Sequence, residues 1–234
     1  DFFEKCNISI SVKFLPNIDD LVKGKFEISR LNRFQVSDFI NRKITISHSE
    51  ILSEIKDKCI LITGAGGSIG SELCEQIFSY KPSKIILLDN NEFNLFTINN
   101  TLNELSTRNN IKFTILPILL SVTNFKALEK IFKEHKPQIV FHVAAYKHVP
   151  LLEENIISGI ECNIYGTINI VRASSKYLTN KFIFISTDKA VRPTSIMGAT
   201  KRFAEIYLQS HYHYFPDSNL QISIVRFGNV FGSK

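Results

Sequence analysis

The stretch ITGAGGSIGSEL, residues 62–73, decides the fold. It overlaps the end of the apolar run CILIT (59–63) and opens a segment in which Ile69, Leu73 and Ile77 recur with helical spacing. A strand, a glycine-rich turn and a helix in this order are typical of the first βαβ unit of a dinucleotide-binding sheet. The stretch therefore predicts a parallel sheet with a phosphate-binding turn after its first strand.

Five further apolar runs follow at the spacing that βαβ units require. They are KIILLD (84–89), KFTILPIL (112–119), QIVFHVA (138–144), KFIFIS (181–186) and QISIVRF (221–227). Because segments with helical periodicity separate the runs, the sequence predicts an α/β fold with a Rossmann-like, doubly wound parallel sheet. Ligands of such sheets bind at the carboxyl ends of the strands, where the strand order reverses.

The chain divides by composition into two parts. Residues 1–56 are predicted to be a leader or linker, in which NISISVKF (7–14) alternates like a strand and PNIDDLVKG (16–24) begins like a capped helix. Residues 57–234 are predicted to be the nucleotide-binding domain. Because the sequence ends at RFGNVFGSK (226–234), directly after the sixth run, we expect this domain to be incomplete at its C-terminus.

Composition limits the classes of function. A chain of 234 residues that is 44% hydrophobic can bury a core, and a net charge of +6 suits an anionic ligand. The basic residues are scattered, so nucleic acid is not an expected partner. Four cysteines without C-x-x-C spacing, no secretory signal and no long apolar run predict a cytoplasmic protein with no membrane span in this chain. We expect no metal site.

The glycines of the first turn have the spacing Gly64-x-x-Gly67-x-x-Gly70. Glycine is required where the turn takes a positive φ, where the backbone approaches a pyrophosphate and where the helix packs on the strand. The backbone N–H groups of Ser68 and Ile69, at the start of the helix, then face the phosphates. A tight turn without a ligand is the alternative.

Asp89 ends the second run, 19 residues after Gly70, and Asn90 follows it. A carboxylate at this place accepts hydrogen bonds from the hydroxyls of the adenosine ribose and repels a 2′-phosphate. The pattern therefore favours NAD over NADP as the cofactor. The alternative interpretation of Asp89 is a polar cap of the strand end.

Polar side chains also follow the fourth run. Ala144 and Ala145 are small enough for a cofactor to pass close to the backbone, and Tyr146, Lys147 and His148 come next. Lys147 and His148 are candidates for contact with a substrate diphosphate or with sugar hydroxyls. A solvated loop is the alternative.

The segment STDKAVRPTSIMGATK begins at the end of the fifth run. Thr187, Asp188 and Lys189 follow that strand, and Met197 and Lys201, four residues apart, share one face of the next helix. A thioether has no titratable proton, so Met197 is neither an acid nor a base. Asp188 and Lys189 are the candidates for those roles. Their alternative interpretation is an ordinary exposed ion pair.

Five motifs in order carry a resemblance to a known family: TGAGGSIGSELCEQI, AAYKHVPLLEEN, NIYGT, STDKAVRPTSIMGATKRFAE and VRFGNVFGS. Together they resemble the bacterial UDP-N-acetylglucosamine 4,6-dehydratases, which are extended short-chain dehydrogenase/reductases of polysaccharide and glycan synthesis. More closely, the chain resembles the catalytic part of their large membrane-anchored branch, in which Met stands where small soluble relatives have Tyr. The resemblance covers about residues 57–234. Because such relatives continue into a smaller substrate lobe, it implies that this C-terminal lobe is missing here.

The resemblance implies further contacts with the cofactor. The glycine turn becomes the pyrophosphate loop, and Asp89 becomes the ribose ligand. Ser121 and Val122 become neighbours of the adenine, although many extended reductases have Asp at the position of Ser121. Lys201 would hold the nicotinamide ribose.

The resemblance also implies a substrate and a reaction. Thr187 would hydrogen-bond the sugar 4-hydroxyl, and Asn229 would approach the diphosphate of a UDP-sugar. After hydride transfer from C4, Lys189 would remove the C5 proton while Asp188 protonates the departing 6-hydroxyl. These roles require a protonated Asp188 and a buried Lys189 with a lowered pKa.

Three functions therefore remain open at this point. The first is a 4,6-dehydratase, the second is a UDP-sugar C4 epimerase, and the third is an inactive NAD-binding module. Self-association into a homo-oligomer is expected by analogy only.

Overall fold

The computed structural model describes residues 48–110, 113–214 and 218–230. The strand and the capped helix predicted within residues 1–47 lie outside the described part. In the described residues, six parallel strands form one sheet in the order β3-β2-β1-β4-β5-β6. The strands are β1 (Cys59–Thr63), β2 (Lys84–Asp89), β3 (Thr114–Leu119), β4 (Ile139–His142), β5 (Lys181–Thr187) and β6 (Gln221–Phe227).

Helices connect the strands and cover the sheet. They are α1 (His48–Ile55), α2 (Ser68–Ser79), α3 (Glu92–Asn109), α4 (Phe125–His135), α5 (Val149–Glu154), α6 (Ile156–Gly159), α7 (Gly166–Lys176) and α8 (Ile196–Tyr214). A π-helical segment (Ile160–Tyr165) joins α6 to α7, and a 3₁₀ turn (Asp188–Ala190) follows β5. None of the helices in the described part of the chain is both long and apolar enough to cross a membrane.

The core has two halves, one on each face of the sheet. The pleat of β1 sends Leu61 to one face and Ile60 and Ile62 to the other. Leu61 packs with apolar residues of α4, α7 and α8, whereas Ile60 and Ile62 pack with α1, α2 and α3. Because both faces are covered, the strands read as continuous apolar runs in the sequence. The predicted doubly wound α/β fold is confirmed.

The predicted strands match the observed ones closely. β1, β2 and β6 have the predicted bounds, and β5 is one residue longer, ending at Thr187. β4 ends at His142, two residues before the predicted end. The Val143 N–H still donates to Thr63 O at 3.2 Å, but the N–H groups of Val143 and Ala144 also donate to the Thr63 hydroxyl, each at 3.2 Å, and the strand pairing ends there.

Helix α1 precedes the predicted domain boundary at residue 57 and packs on the sheet. Ile55 is buried with the residues of α2 and α3, and Lys181 of β5 makes an ion pair with Glu54. The assignment of residues 1–56 to a leader stays a prediction.

Candidate active site

A cavity of about 830 Å³ opens at the carboxyl ends of the strands. It lies where the chain reverses direction across the sheet, because β1 sits between β2 and β4. Most residues predicted from the sequence line it: Gly64, Gly67, Ser68, Ile69, Asp89, Asn90, Val122, Ala144, Ala145, Tyr146, Lys147, His148, Thr187, Lys189, Met197, Lys201 and Asn229. Gly70, Ser121 and Asp188 are not among the lining residues.

The glycine turn has the geometry that a phosphate-binding loop needs. Gly64 has a φ of 66°, and its backbone is so close to Ala144 that a Cβ would lie 2.8 Å from the Ala144 Cα. Gly67 is the residue before helix α2, its N–H donates to Gly64 O at 3.1 Å, and no side chain caps the helix start. Gly70 lies beneath the turn and packs against Gly64. The start of α2 is therefore free of a side-chain cap and borders the cavity.

Asp89 connects the ends of β1 and β2. Its carboxylate accepts one hydrogen bond from the Gly66 N–H and one from the Asn91 N–H, both at 2.9 Å. The side chain is buried and lines the cavity. Two carboxylate oxygens offer about four acceptor positions, so two remain after these bonds. Asp89 therefore caps the strand end, as in the alternative interpretation, and keeps acceptors for a ribose.

Ser121 and Val122 take different positions. The Ser121 hydroxyl lies 2.9 Å from the Thr123 hydroxyl and accepts from the Thr123 N–H at 3.3 Å, so it shapes the turn before α4. Val122 is buried, lines the cavity and packs against Gly166. Of the two predicted adenine neighbours, the structure brings only Val122 to the cavity.

A buried polar chain runs beneath the cavity from β1 to α7. The His142 ring hydrogen-bonds with the Thr63 hydroxyl at 2.7 Å and with the Thr167 hydroxyl at 3.0 Å. Burial lowers the pKa of His142 to about 3, with a further lowering by Lys201. His142 is therefore a neutral core residue, and its bonds hold the strand ends in register.

Asn163 of the π-helical segment clamps the loop after β4. Its side-chain oxygen accepts from the Tyr146 N–H at 2.8 Å, and its amide donates to Tyr146 O at 3.1 Å and to the Thr200 hydroxyl at 3.0 Å. This side chain is buried and was not among the predicted residues. The signal in the sequence was an Asn between the apolar residues Cys162 and Ile164. Asn163 fixes Tyr146, Lys147 and the start of α8 relative to one another.

The loop fixed in this way presents its polar side chains outward. Tyr146, Lys147 and His148 are exposed and border the cavity. The half-buried thiol of Cys162, also at the cavity, was not predicted either. Burial raises the pKa of Cys162, so the thiol stays neutral.

Met197 and Lys201 lie on the cavity side of α8, as predicted, and both are buried. The Lys201 ammonium donates to Ile185 O at 2.9 Å and lies 4.5 Å from the centre of the Phe184 ring. Burial lowers the pKa of Lys201 to about 8. Lys201 is thus held at the floor of the cavity by β5.

Thr187 organises the turn that carries the predicted acid and base. Its hydroxyl oxygen accepts from the Lys189 N–H at 3.3 Å, and its hydroxyl donates to Asp188 Oδ1 at 3.0 Å. The hydrogen bond from Thr187 is the main cause of a pKa of Asp188 below its usual value, and Lys189 contributes. Asp188 is therefore ionised at neutral pH. The sequence predicts a protonated Asp188 during the reaction, whereas the neighbours of Asp188 in the structure, Thr187 and Lys189, stabilise its carboxylate.

Lys189 reaches from this turn to the end of β6. Its ammonium donates to Asn229 Oδ1 at 3.2 Å and to Asp188 Oδ1 at 3.5 Å. The side chains of Lys189 and Asp188 are 42% and 58% exposed. The expected burial of Lys189 is therefore absent here. Asn229, which was predicted to bind the substrate diphosphate, accepts this hydrogen bond from Lys189.

A family model described as polysaccharide biosynthesis protein matches residues 60–234. The chain belongs to this family. Capsular polysaccharide biosynthesis protein CapD of Staphylococcus aureus is 41% identical over 231 residues, which are 98% of this chain and 38% of CapD. UDP-N-acetylglucosamine 4,6-dehydratase (inverting) of Campylobacter jejuni serotype O:23/36 is 33% identical over 178 residues, which are 76% of this chain and 50% of that protein. The chain thus spans half or less of the length of these two relatives.

Solved structures agree with this placement in the polysaccharide biosynthesis family. The structure of Pen from Bacillus thuringiensis has 31% sequence identity and a TM-score of 0.70, with 77% of this chain and 54% of that chain covered. The UDP-glucose 4-epimerase of Thermus thermophilus, in complex with NAD, has 26% identity and a TM-score of 0.58, with 74% and 56% covered. The resemblance seen in the motifs is confirmed at the level of this family and its fold.

The described residues contain no cluster of three or more His, Cys, Asp or Glu side chains that could hold a metal ion. The turn after β5 and helix α8 bring a hydroxyl, a carboxylate and two amines to the cavity or its edge: Thr187, Asp188, Lys189 and Lys201. These groups suit proton transfer next to a bound nucleotide.

Proposed function

We propose that the protein catalyses the NAD-dependent dehydration of a UDP-N-acetylhexosamine, UDP-N-acetylglucosamine, to a UDP-4-keto-6-deoxy sugar for surface polysaccharide or glycan synthesis. The observation that carries the proposal is the Thr187-Asp188-Lys189 turn at the mouth of the cavity. Met197, which lines the same cavity, has no titratable proton, so the acid and base have to come from this turn. The Campylobacter relative named as such a dehydratase supports the choice of reaction.

The residues present fit NAD as the cofactor. Gly67 leaves room at the uncapped start of α2 for a pyrophosphate, because a Cβ there would meet only Gly64 O, at 3.4 Å. Asp89 keeps acceptors for the ribose, and Lys201 lies at the floor of the cavity for the nicotinamide half. When bound, NAD⁺ supplies a hydride acceptor for C4 and returns the hydride to C6.

In the proposed reaction, the ionised Asp188 accepts the proton of the sugar 4-hydroxyl. The sugar hydroxyl donates to Thr187, whose own hydroxyl already donates to the Asp188 carboxylate at 3.0 Å. As C4 is oxidised, the proton passes along these two bonds to Asp188. Asp188 becomes protonated only at this stage, which is when an acid is needed.

The proton that Asp188 has received leaves with the 6-hydroxyl as water. Protonation of Asp188 also removes the negative charge that stabilises the charged form of Lys189. Lys189, after its ammonium has released a proton to solvent, takes the C5 proton, which the 4-ketone has made acidic. The abstracted proton exchanges with solvent on the amine, and Lys189 gives a proton back to C5 after the hydride reaches C6. Once Lys189 has regained a proton from solvent, both side chains are in their starting states, so the cycle closes.

The free thiols of Cys59, Cys74 and Cys162 support the proposed cytoplasmic location, because reducing compartments keep thiols unpaired. A UDP-sugar as the small-molecule partner is consistent with the basic and polar loop at Lys147 and His148.

The test is proton NMR of the purified protein with NAD⁺ and UDP-N-acetylglucosamine in D₂O. We expect a new C6 methyl signal and deuterium at C5. A changed configuration at C4 without exchange at C5 would show a C4 epimerase, and bound NAD without any product would show a binding module. Either result would overturn the proposal.

Variants assign the roles of the two groups. Asp188→Asn and Lys189→Ala should keep NAD binding and lose product by a factor of about 10² or more. Lys133→Ala, which removes an exposed lysine of α4, is the matched control and should leave product formation unchanged. Loss of NAD binding in either site variant would show that Asp188 and Lys189 are structural.

A further inference from the structure

One carboxylate beneath the cavity holds the ends of two strands together. The side chain of Glu205, on α8, has no solvent exposure. Glu205 Oε1 accepts from the Ser186 hydroxyl and from Arg226 Nε, each at 2.7 Å. Glu205 Oε2 accepts from Arg226 Nη2 and, at 3.0 Å, from Arg202 Nη1. Arg226 therefore binds the carboxylate with two parallel hydrogen bonds, the geometry that fixes orientation best.

The partners of Glu205 directly precede the candidate site residues. Ser186 of β5 comes immediately before the turn that begins at Thr187, and Arg226 of β6 lies three residues before Asn229. Ser186 and Arg226 are also partners in the β5–β6 register. The same carboxylate thus holds both strands at the level from which Lys189 and Asn229 extend.

Strand β6 needs such a tie because it is the edge of the sheet. It pairs only with β5 in the described residues, and its pairing ends at Phe227, before Gly228 and Asn229. Residues 228–230, the described part of the chain after Phe227, are not paired with β5 in the ladder. The Arg226 side chain joins the last part of this strand to α8 through Glu205.

The two anchored segments meet at the mouth of the cavity. Lys189 Nζ lies 3.2 Å from Asn229 Oδ1, and a Cβ on Gly228 would lie 3.2 Å from Asp188 Oδ2. A small shift of β6 along β5 changes both distances. Displacements of about 1 Å at reacting groups cost up to about 10²-fold in rate.

We propose that Glu205 is a positioning residue that sets the spacing of Lys189 and Asn229 through Ser186 and Arg226. Its effect on catalysis rests on the proposed function, whereas its effect on geometry does not.

The test compares the two arginines that bind the same carboxylate. Arg226→Lys keeps the charge but loses the double hydrogen bond from β6 to Glu205, and kcat should fall about 10- to 100-fold. Arg202→Ala removes an arginine that lies on α8, the same helix as Glu205, and does not link the strands, so kcat should change by less than about 2-fold. Bound NAD should be unchanged in both. Equal kcat values for the two variants, at a temperature where both are folded, would overturn the proposal.

Crystal structures of the two variants give a readout that needs no turnover. The contact between Lys189 Nζ and Asn229 Oδ1 should persist in Arg202→Ala and should be lost in Arg226→Lys. If Arg226→Lys does not fold, Ser186→Ala removes the other link and should lose the same contact. Retention of the contact in the variant examined rejects the positioning role. If the wild-type protein forms no product from UDP-N-acetylglucosamine, the proposed function fails, and the crystal structures alone decide the positioning role.

Discussion

The carbonyl oxygen of Gly64 lies 1.9 Å from the place that a Cβ atom would take on Gly70. No side chain fits at such a distance, so helix α2 packs on the glycine turn only when residue 70 is glycine. We expect Gly70→Ala to lower the free energy of unfolding by about 1–3 kcal/mol or more, because the turn and the helix must move apart. Chemical denaturation of the wild-type and variant proteins measures this loss.

Gly67→Ala is the matched substitution three residues earlier. Gly67 has a φ of −71°, which any residue adopts, and a Cβ there would contact only Gly64 O, at 3.4 Å. The free energy of unfolding should stay within about 0.5 kcal/mol of the wild type. The affinity for NAD should fall at least about 10-fold, since the methyl group takes the space in which the pyrophosphate approaches the backbone. Calorimetric titration with NAD measures the affinity, and unchanged binding would place the pyrophosphate elsewhere.

The fold was predictable because each buried strand is a continuous apolar run. The bounds of three strands were predicted to the residue, and β4 differs because its end depends on the Thr63 hydroxyl, 79 residues away in sequence from His142. Only a folded chain brings these groups together. Local apolar patterns therefore predicted which segments are strands. They did not predict the end of a strand such as β4, where hydrogen bonds to residues distant in sequence compete with strand pairing.

The sequence predicted the site residues that directly follow a strand. It did not predict the buried polar residues that lie on helices and reach the site through hydrogen bonds. The glycine turn and the Thr187 turn are local motifs at strand ends. Asn163 and Glu205 were missed because their partners, Tyr146 and Arg226, are 17 and 21 residues away in sequence. The surroundings of Asp188 were misjudged because the exposure of its side chain, 58%, depends on how the turn after β5 folds, which a sequence does not contain.

The buried charge of Lys201 should lower the free energy of unfolding, although Lys201 is a candidate for binding the cofactor. Its pKa is about 8 in the folded chain because of burial, against about 10.4 in an unfolded one. Between these values the unfolded state binds more protons, so the stability of the wild type rises with pH through this window. Lys201→Met should raise the free energy of unfolding at pH 7 by up to about 3 kcal/mol. This gain should shrink from pH 8 to about pH 10.4 and should be accompanied by loss of activity.

Denaturation curves at pH 7, 9 and 10.5 measure the change for Lys201→Met. Lys133→Met, which replaces an exposed lysine on α4, is the control and should show no comparable gain at any of these pH values. A lower stability of Lys201→Met at pH 7 would mean that the bond to Ile185 O and the contact with Phe184 outweigh the cost of burying the charge.

Asp89 should set the choice between NAD and NADP. Asp89→Asn keeps an acceptor for the Gly66 or the Asn91 N–H but removes the charge that repels a 2′-phosphate. The ratio of NAD affinity to NADP affinity should fall by at least about 10-fold, which is about 1.4 kcal/mol. Glu92→Gln, which removes an exposed charge three residues away, should leave the ratio unchanged. Titrations with both nucleotides measure the ratio, and an equal effect of the two variants would show that net charge alone decides it.

Met197 should fill space in the wall of the cavity and should take no part in proton transfer. It is buried in the first turn of α8, where its carbonyl accepts from the Thr200 hydroxyl at 2.8 Å. Met197→Leu conserves volume, so the free energy of unfolding should change by less than about 1.5 kcal/mol. The kcat for product formation should stay within about 3-fold, whereas Thr187→Val, which breaks the path to Asp188, should lower kcat by about 10²-fold or more. Product formation by NMR measures both. A loss in Met197→Leu as large as that in Thr187→Val would show that the thioether itself contacts the reacting atoms.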